Sequence, residues 1–108
     1  MNVLKRFIDE TFEMMTGLGE MKVAEAIFLT AVHDATETMD NSVKSSKMIH
    51  EVISLAYQGQ NIIKMCSHLP RTCNAEKHAR ELNIVAHKID NIVFSIHSES
   101  STEMTRSI

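Results

Sequence analysis

The chain has 108 residues and a formal net charge of −3. That length predicts one domain, and the charge argues against a dedicated nucleic-acid binder, which needs a concentrated positive face to displace counterions from phosphates. Hydrophobic residues at 44% and charged residues at 23% exclude a disordered composition, while one proline, three glycines and 5% aromatic residues favour long helices over a many-stranded sheet.

Residues 2–16 predict a first helix. Val3, Leu4, Phe7, Ile8, Phe12, Met14 and Met15 supply apolar contacts, and Lys5, Arg6, Asp9, Glu10 and Glu13 supply the wet side. The only basic pair there, Lys5-Arg6, is offset by Asp9 and Glu10. Gly17 is suited to stop the helix and Gly19 to turn the chain. A second helix is predicted over about 20–39, where Met21, Ala24, Phe28, Ala31 and Ala35 recur by threes and fours. The polar runs Asp40-Asn41-Ser42 and Ser45-Ser46 predict a break, because such side chains cap helices and compete for backbone hydrogen bonds. A helix continuous through Val43 and Lys44 is the alternative.

Two longer runs follow, and the chain is expected to be organised around them. Met48, Val52, Leu55, Gly59, Ile62, Cys66 and Leu69 step alternately by four and three, and so do Ala75, Ala79, Leu82, Ala86, Ile89, Val93 and Ile96. Each set lies along one side of a helix. Pro70 between them interrupts any single helix. Thr72 or Asn74 would cap the second run. Gly59 inside the first marks either a close approach of another backbone or a kink; the unbroken phase of the pattern favours close approach. The expected fold is all-α, an up-down four-helix bundle built on the antiparallel hairpin of about 46–69 and 73–97, with dimerisation open. Residues 1–97 form the predicted domain, and 98–108 (SESSTEMTRSI) a disordered polar tail.

Several apolar residues fall off these seams: Ile53 and Tyr57 in the first run, Ile84 and Phe94 in the second. Either a broad core takes them in or another chain covers them. The eight methionines suit cores and adaptable interfaces alike. MNVLKRFIDE lacks the uninterrupted apolar stretch of a secretory signal, and no run approaches the ~20 apolar residues that cross a bilayer. Two cysteines make no disulfide framework, so a cytoplasmic setting is expected. A Cys66–Cys73 bridge is sterically open across the turn, but a reducing compartment disfavours it.

Cys66, His68, Cys73 and His78 crowd the Pro70 turn and are of the types that hold zinc. Their spacing lacks paired ligands a few residues apart, so neither a metal nor any other cofactor is expected. The remaining histidines, His33, His50, His87 and His97, occupy no central seam position, and no Glu-x-x-His pair marks a carboxylate-bridged dimetal site. Glu10, Glu13, Glu20, Glu25, Asp34, Glu37, Glu51, Glu76, Glu81 and Asp90 read as wet-face charges.

Two resemblances concern His87, in AHKIDN. Histidine phosphotransfer domains are small four-helix bundles with an exposed helical histidine in a pattern like His-x-Leu-Lys-Gly. Ile89 matches the apolar position, but Asp90 and Asn91 replace the lysine and glycine, and an aspartate there repels a phosphoryl group. RELNIVAH resembles the arginine–histidine pair of HEPN-type helical nucleases, implying that Arg80 stabilises phosphate charge while His87 handles a proton; Glu81 beside it opposes phosphate. Arg71 and His78 repeat the same spacing. His33-Asp34 resembles, over two residues, the histidine–acid pair of kinase dimerisation helices.

The leading expectation is a non-catalytic helical interaction protein, acting as a regulator, adaptor or inhibitor. It would bind an unidentified protein partner or its own copy through Ile53, Tyr57, Ile84 and Phe94. The alternative is phosphotransfer or RNA cleavage at His87 with Arg80.

Overall fold

In this computed structural model the backbone is described for residues 2–15, 19–42, 46–68 and 74–107, and side chains within 5–15, 21–39, 47–67 and 74–97. Among the described residues there are four α-helices and no strand: α1 (Asn2–Met14), α2 (Gly19–Ser42), α3 (Ser46–His68) and α4 (Ala75–Ser107). They pack as a helical bundle of 57 × 25 × 19 Å.

Helix α1 buries Phe7 and Thr11, one turn apart, with Ile8, Met14 and Met15 half-buried beside them. The Phe7 ring meets Phe28 edge-on at 6.4 Å and Tyr57 at 5.4 Å. Thr11 accepts a 3.1 Å hydrogen bond from Gln60 Nε2 on α3, so its burial leaves no polar atom unsatisfied. Phe12, expected among the core contacts, is 68% exposed; five residues beyond Phe7, it falls off the Phe7–Thr11 stripe. Gly17 lies outside the described residues. Gly19 adopts φ +44°, where a side chain would be strained, and opens α2.

Helix α2, and not the α3–α4 pair, is the central element. All five predicted positions, Met21, Ala24, Phe28, Ala31 and Ala35, are buried. So are Glu25, Leu29, Val32, Thr36, Thr38 and Met39, which widens the buried arc to about half the circumference. The small alanines let neighbouring helices come close. Helix α4 packs more extensively against α2 than against α3. Thr36 returns its hydroxyl to the Val32 carbonyl at 2.9 Å, which lets a polar side chain sit inside. Glu25, expected on the wet face, is fully buried. Its neighbours one and two turns away (Met21, Phe28, Leu29 and Val32) are all core residues, so it sits in the middle of the apolar face. Among the described residues no buried side-chain nitrogen or oxygen lacks a hydrogen-bond partner. Helices α2 and α3 are separate elements; residues 43–45 between them lie outside the described residues.

The buried stripe of α3 is Val52, Ala56, Gly59, Ile63 and Cys66. The predicted seam is therefore rotated slightly: Met48, Leu55 and Ile62 are half-buried flanks, and Ala56 and Ile63 take the centre. On α4, Ala79, Leu82, Ala86, Ile89 and Ile96 are buried as predicted, Val85 joins them, Val93 is half-buried and Ala75 is exposed. Leu69, Pro70 and Thr72 lie outside the described residues. Asn74 caps α4: its Oδ1 accepts from the Lys77 amide at 3.1 Å, and its carbonyl from the His78 amide at 2.9 Å. Where the sequence predicts a tail from Ser98, the backbone stays helical to Ser107. That stretch holds neither glycine nor proline, and extending a formed helix needs no new nucleus. At 33 residues α4 is ~50 Å long and sets the long axis.

Helix α3 runs unbroken through Gly59, so the glycine serves close approach and not a kink. A Cβ at Gly59 would overlap the Phe28 ring at Cε1 and Cζ and lie 2.8 Å from Cδ1. Gly59→Ala gains ~1 kcal/mol of helix propensity but overpacks a filled site, which costs about 1–3 kcal/mol and dominates where an aromatic ring must move. Urea unfolding of Gly59→Ala is expected to show net destabilisation, and adding Phe28→Leu is expected to recover part of it. Equal stability of Gly59→Ala and wild type would remove the close-packing account.

Candidate functional site

Because α4 turns one arc towards α2 and α3, its opposite arc faces outward. Arg80, Ile84, His87, Asn91 and Phe94 follow at steps of four and three and share that arc. All five are exposed, Ile84 at 55% and Phe94 at 73%. Two predicted interface residues and both residues of the nuclease-like pair thus lie on one face. Ile53 and Tyr57 do not join them. Ile53 is half-buried against the core, and Tyr57, on α3, sets its ring against Phe7 of α1 while staying 48% exposed on a different face.

Arg80 and His87 are two turns apart, a rise of ~10 Å. Among the described residues neither makes a side-chain hydrogen bond or ion pair, so nothing orients the His87 ring for proton transfer. Beside this face an open cavity of about 440 Å³ runs between α3 and α4, lined by Glu51, Leu55, Gln58, Lys88, Asn91 and Ile92. Its mixed walls and openness suit a protein side chain more than an enclosed substrate.

The cysteine–histidine group does not form the metal set its composition allows. Cys66 is buried and disulfide-bonded; the chain's other cysteine, Cys73, lies outside the described residues, as do Arg71 and the His68 side chain. His78 is half-buried, with Nδ1 2.8 Å from the Asn74 carbonyl. The reducing compartment assumed from composition had argued against the bridge, and that assumption gives way to the bonded sulfur. Of the other histidines, His50 and His87 are exposed, and His97 Nε2 shares a 3.3 Å hydrogen bond with Thr38 Oγ1 on α2.

One cluster escaped the sequence reading. His33, Asp34 and Glu37, all exposed on α2, bring one donor atom each to within 4.8 Å of one another. The legible signal was Glu37 one turn beyond His33; only the His33-Asp34 dipeptide had drawn notice. No family model, curated protein or solved structure matches the chain, so its function is read from these residues directly.

The chain has one other cysteine, Cys73, and a bridge between the two would stabilise by restricting the unfolded chain, by about 2–3 kcal/mol. Under denaturing, non-reducing conditions a thiol reagent is expected to label neither cysteine. Reduction is expected to lower the unfolding free energy by that amount. Two free thiols in the oxidised protein would remove the bridge from the description.

Proposed function

We propose that this chain is a non-catalytic helical interaction protein that works through the outward face of α4. The carrying observation is that Phe94 and Ile84 stand open to water on one face while the interior is closed around Phe28, Leu82 and Ile89. Large apolar side chains left outside a filled core are the anchors that helix-face recognition uses. Arg80, His87 and Asn91 supply the polar surround that a water-excluding contact needs. In this reading the helices alternate up and down. The pairs Phe7–Tyr57 and Thr11–Gln60 advance together along α1 and α3, as that order requires. The covering surface is a second copy or another protein, and regulation or inhibition by occlusion is the role. A cytoplasmic setting belongs to the same proposal, with the Cys66 bridge standing against it. Among the described residues no helix is long and apolar enough to cross a membrane.

Light scattering of wild type at rising concentration is expected to exceed the 12.2 kDa of one chain. Ile84→Ser with Phe94→Ser is expected to return the mass to one chain with the helical circular dichroism unchanged. If the double variant unfolds, the two residues belong to the core and the reading fails. If wild type stays monomeric, self-association is out, and a heterologous partner must be captured by wild type and lost by the double variant.

The competing reading, phosphotransfer or RNA cleavage at His87 with Arg80, draws on their shared exposure. That no described residue pairs with the His87 ring weighs against it. Incubation with phosphodonors and with RNA is expected to yield neither label nor cleavage; either product, abolished by His87→Ala, would replace the interaction reading.

A further inference from the structure

The charges beside the outward row of α4 are ordered along the helix, and their order selects what covers it. Lys77 continues the row towards the start of the helix, so that Lys77, Arg80, Ile84, His87, Asn91 and Phe94 share one exposed arc. One flank of this arc carries Glu81 and Lys88, two turns apart; the other carries Asn83 and Asp90, also two turns apart. Lys88, Asn83 and Asp90 are exposed and Glu81 is half-buried. Among the described residues none of these four side chains makes a hydrogen bond or an ion pair. Each flank therefore holds two complementary groups, both unused within the chain, with the same spacing.

We propose that the partner is a second copy of this chain, with the two α4 helices antiparallel about a twofold axis between Val85 and Ala86. This rests on the α4 reading above and names its partner. In that register Ile84 faces His87 of the second copy, Arg80 faces Asn91 and Lys77 faces Phe94, each pair occurring twice by symmetry. The two Ile84 side chains fall in adjacent layers and share the centre. Each Phe94 ring lies between the cationic ends of Lys77 and Arg80 of the second copy, the contact an aromatic face favours. Along one flank Glu81 meets Lys88 of the second copy; along the other the Asn83 amide donates to the Asp90 carboxylate. Complementary charges set orientation and register more than raw affinity, and the alternatives are opposed by repulsion. A parallel pair sets Lys77 on Lys77, Arg80 on Arg80 and Glu76 against Glu81, with no opposite charges to offset them. An antiparallel pair displaced by two turns brings Ile84 to Phe94, but sets Lys88 on Lys88 and Asp90 on Asp90.

The test is sedimentation equilibrium of the full chain and its charge variants at low salt. Wild type is expected to form a dimer of two 12.2 kDa chains. Glu81→Lys and Lys88→Glu are each expected to weaken the dimer about tenfold, because two flanking pairs turn repulsive at once. Mixed in equal amounts, the two variants are expected to associate as tightly as wild type, since every flanking pair is again of opposite sign. One chain carrying both substitutions is expected to do the same. Val23→Ser, at an apolar residue 61% exposed on α2, is expected to leave the mass unchanged. Circular dichroism checks that each variant folds. A tighter dimer for Glu81→Lys would mean parallel helices, and no effect of either single variant would mean the displaced register or another face. Either result, or a mixture that fails to recover, would overturn the proposal. A wild type that stays one chain overturns the second copy alone, leaving the α4 reading to partner capture. A dimer that survives Ile84→Ser with Phe94→Ser overturns both.

Discussion

The Phe28 ring in the notch left by Gly59 is the contact on which the other packing rests. Phe28 has no exposed surface, and the missing side chain at Gly59 gives the ring its place. A ring so confined sets the height of α2 against α3. Phe7 then meets both Phe28 and Tyr57 in edge contacts, which hangs α1 from the same point. Thr11 and Gln60, one turn further along both helices, repeat the alignment with a hydrogen bond. Interiors are packed as closely as organic crystals, so a misfit at this ring would spread to three helices.

Placing α2 at the centre explains two features of the surface. A helix buried over half its girth takes in side chains that an ordinary amphipathic helix keeps wet, and Glu25, Thr36 and Thr38 are these. Their hydrogen bonds must then be met inside: Thr36 by its own helix, Thr38 by His97 of α4. Such polar pairings favour one arrangement over near alternatives, since a shifted helix would leave a donor or acceptor unpaired. The outer arcs of α2 and α4 are left to different chemistries, carboxylates around an imidazole on one and apolar anchors among polar residues on the other.

The number and kind of the helices, and their limits apart from the end of α4, were legible in the sequence because apolar periodicity is a direct record of which side is buried; the polar residues after His97 carry no such record, yet the helix runs through them. The predicted seam of α4 holds almost residue for residue, and Gly59 was read correctly from the unbroken phase around it. What was not legible came from neighbours remote in sequence. Nothing local distinguishes Leu55 from Ala56 as the residue nearer the centre; the way α3 is turned towards its neighbours decides it. Glu25 was misread by its charge although its spacing from Met21, Phe28 and Val32 placed it inside. Phe12 was misread the other way, by its apolarity. The redox state of Cys66 had been argued from compartment, a premise that the chain does not carry. As for the site, Ile84 and Phe94 were visible as misfits to the seam, whereas Glu81 and Asp90 beside them were read only as wet-face charges, because their order gains meaning only with a second helix opposite.

The outward row of α4 carries one more consequence. Its five residues advance at an average of 3.5 positions per turn, while the helix itself turns every 3.6. From Arg80 to Phe94 the row slips by about 40° around the rod. A straight ligand laid along it would meet Arg80 and miss Phe94. A helical ligand that touches both must coil about α4 with a left-handed wrap, so the handedness of any such assembly is already written in the spacing of one exposed edge.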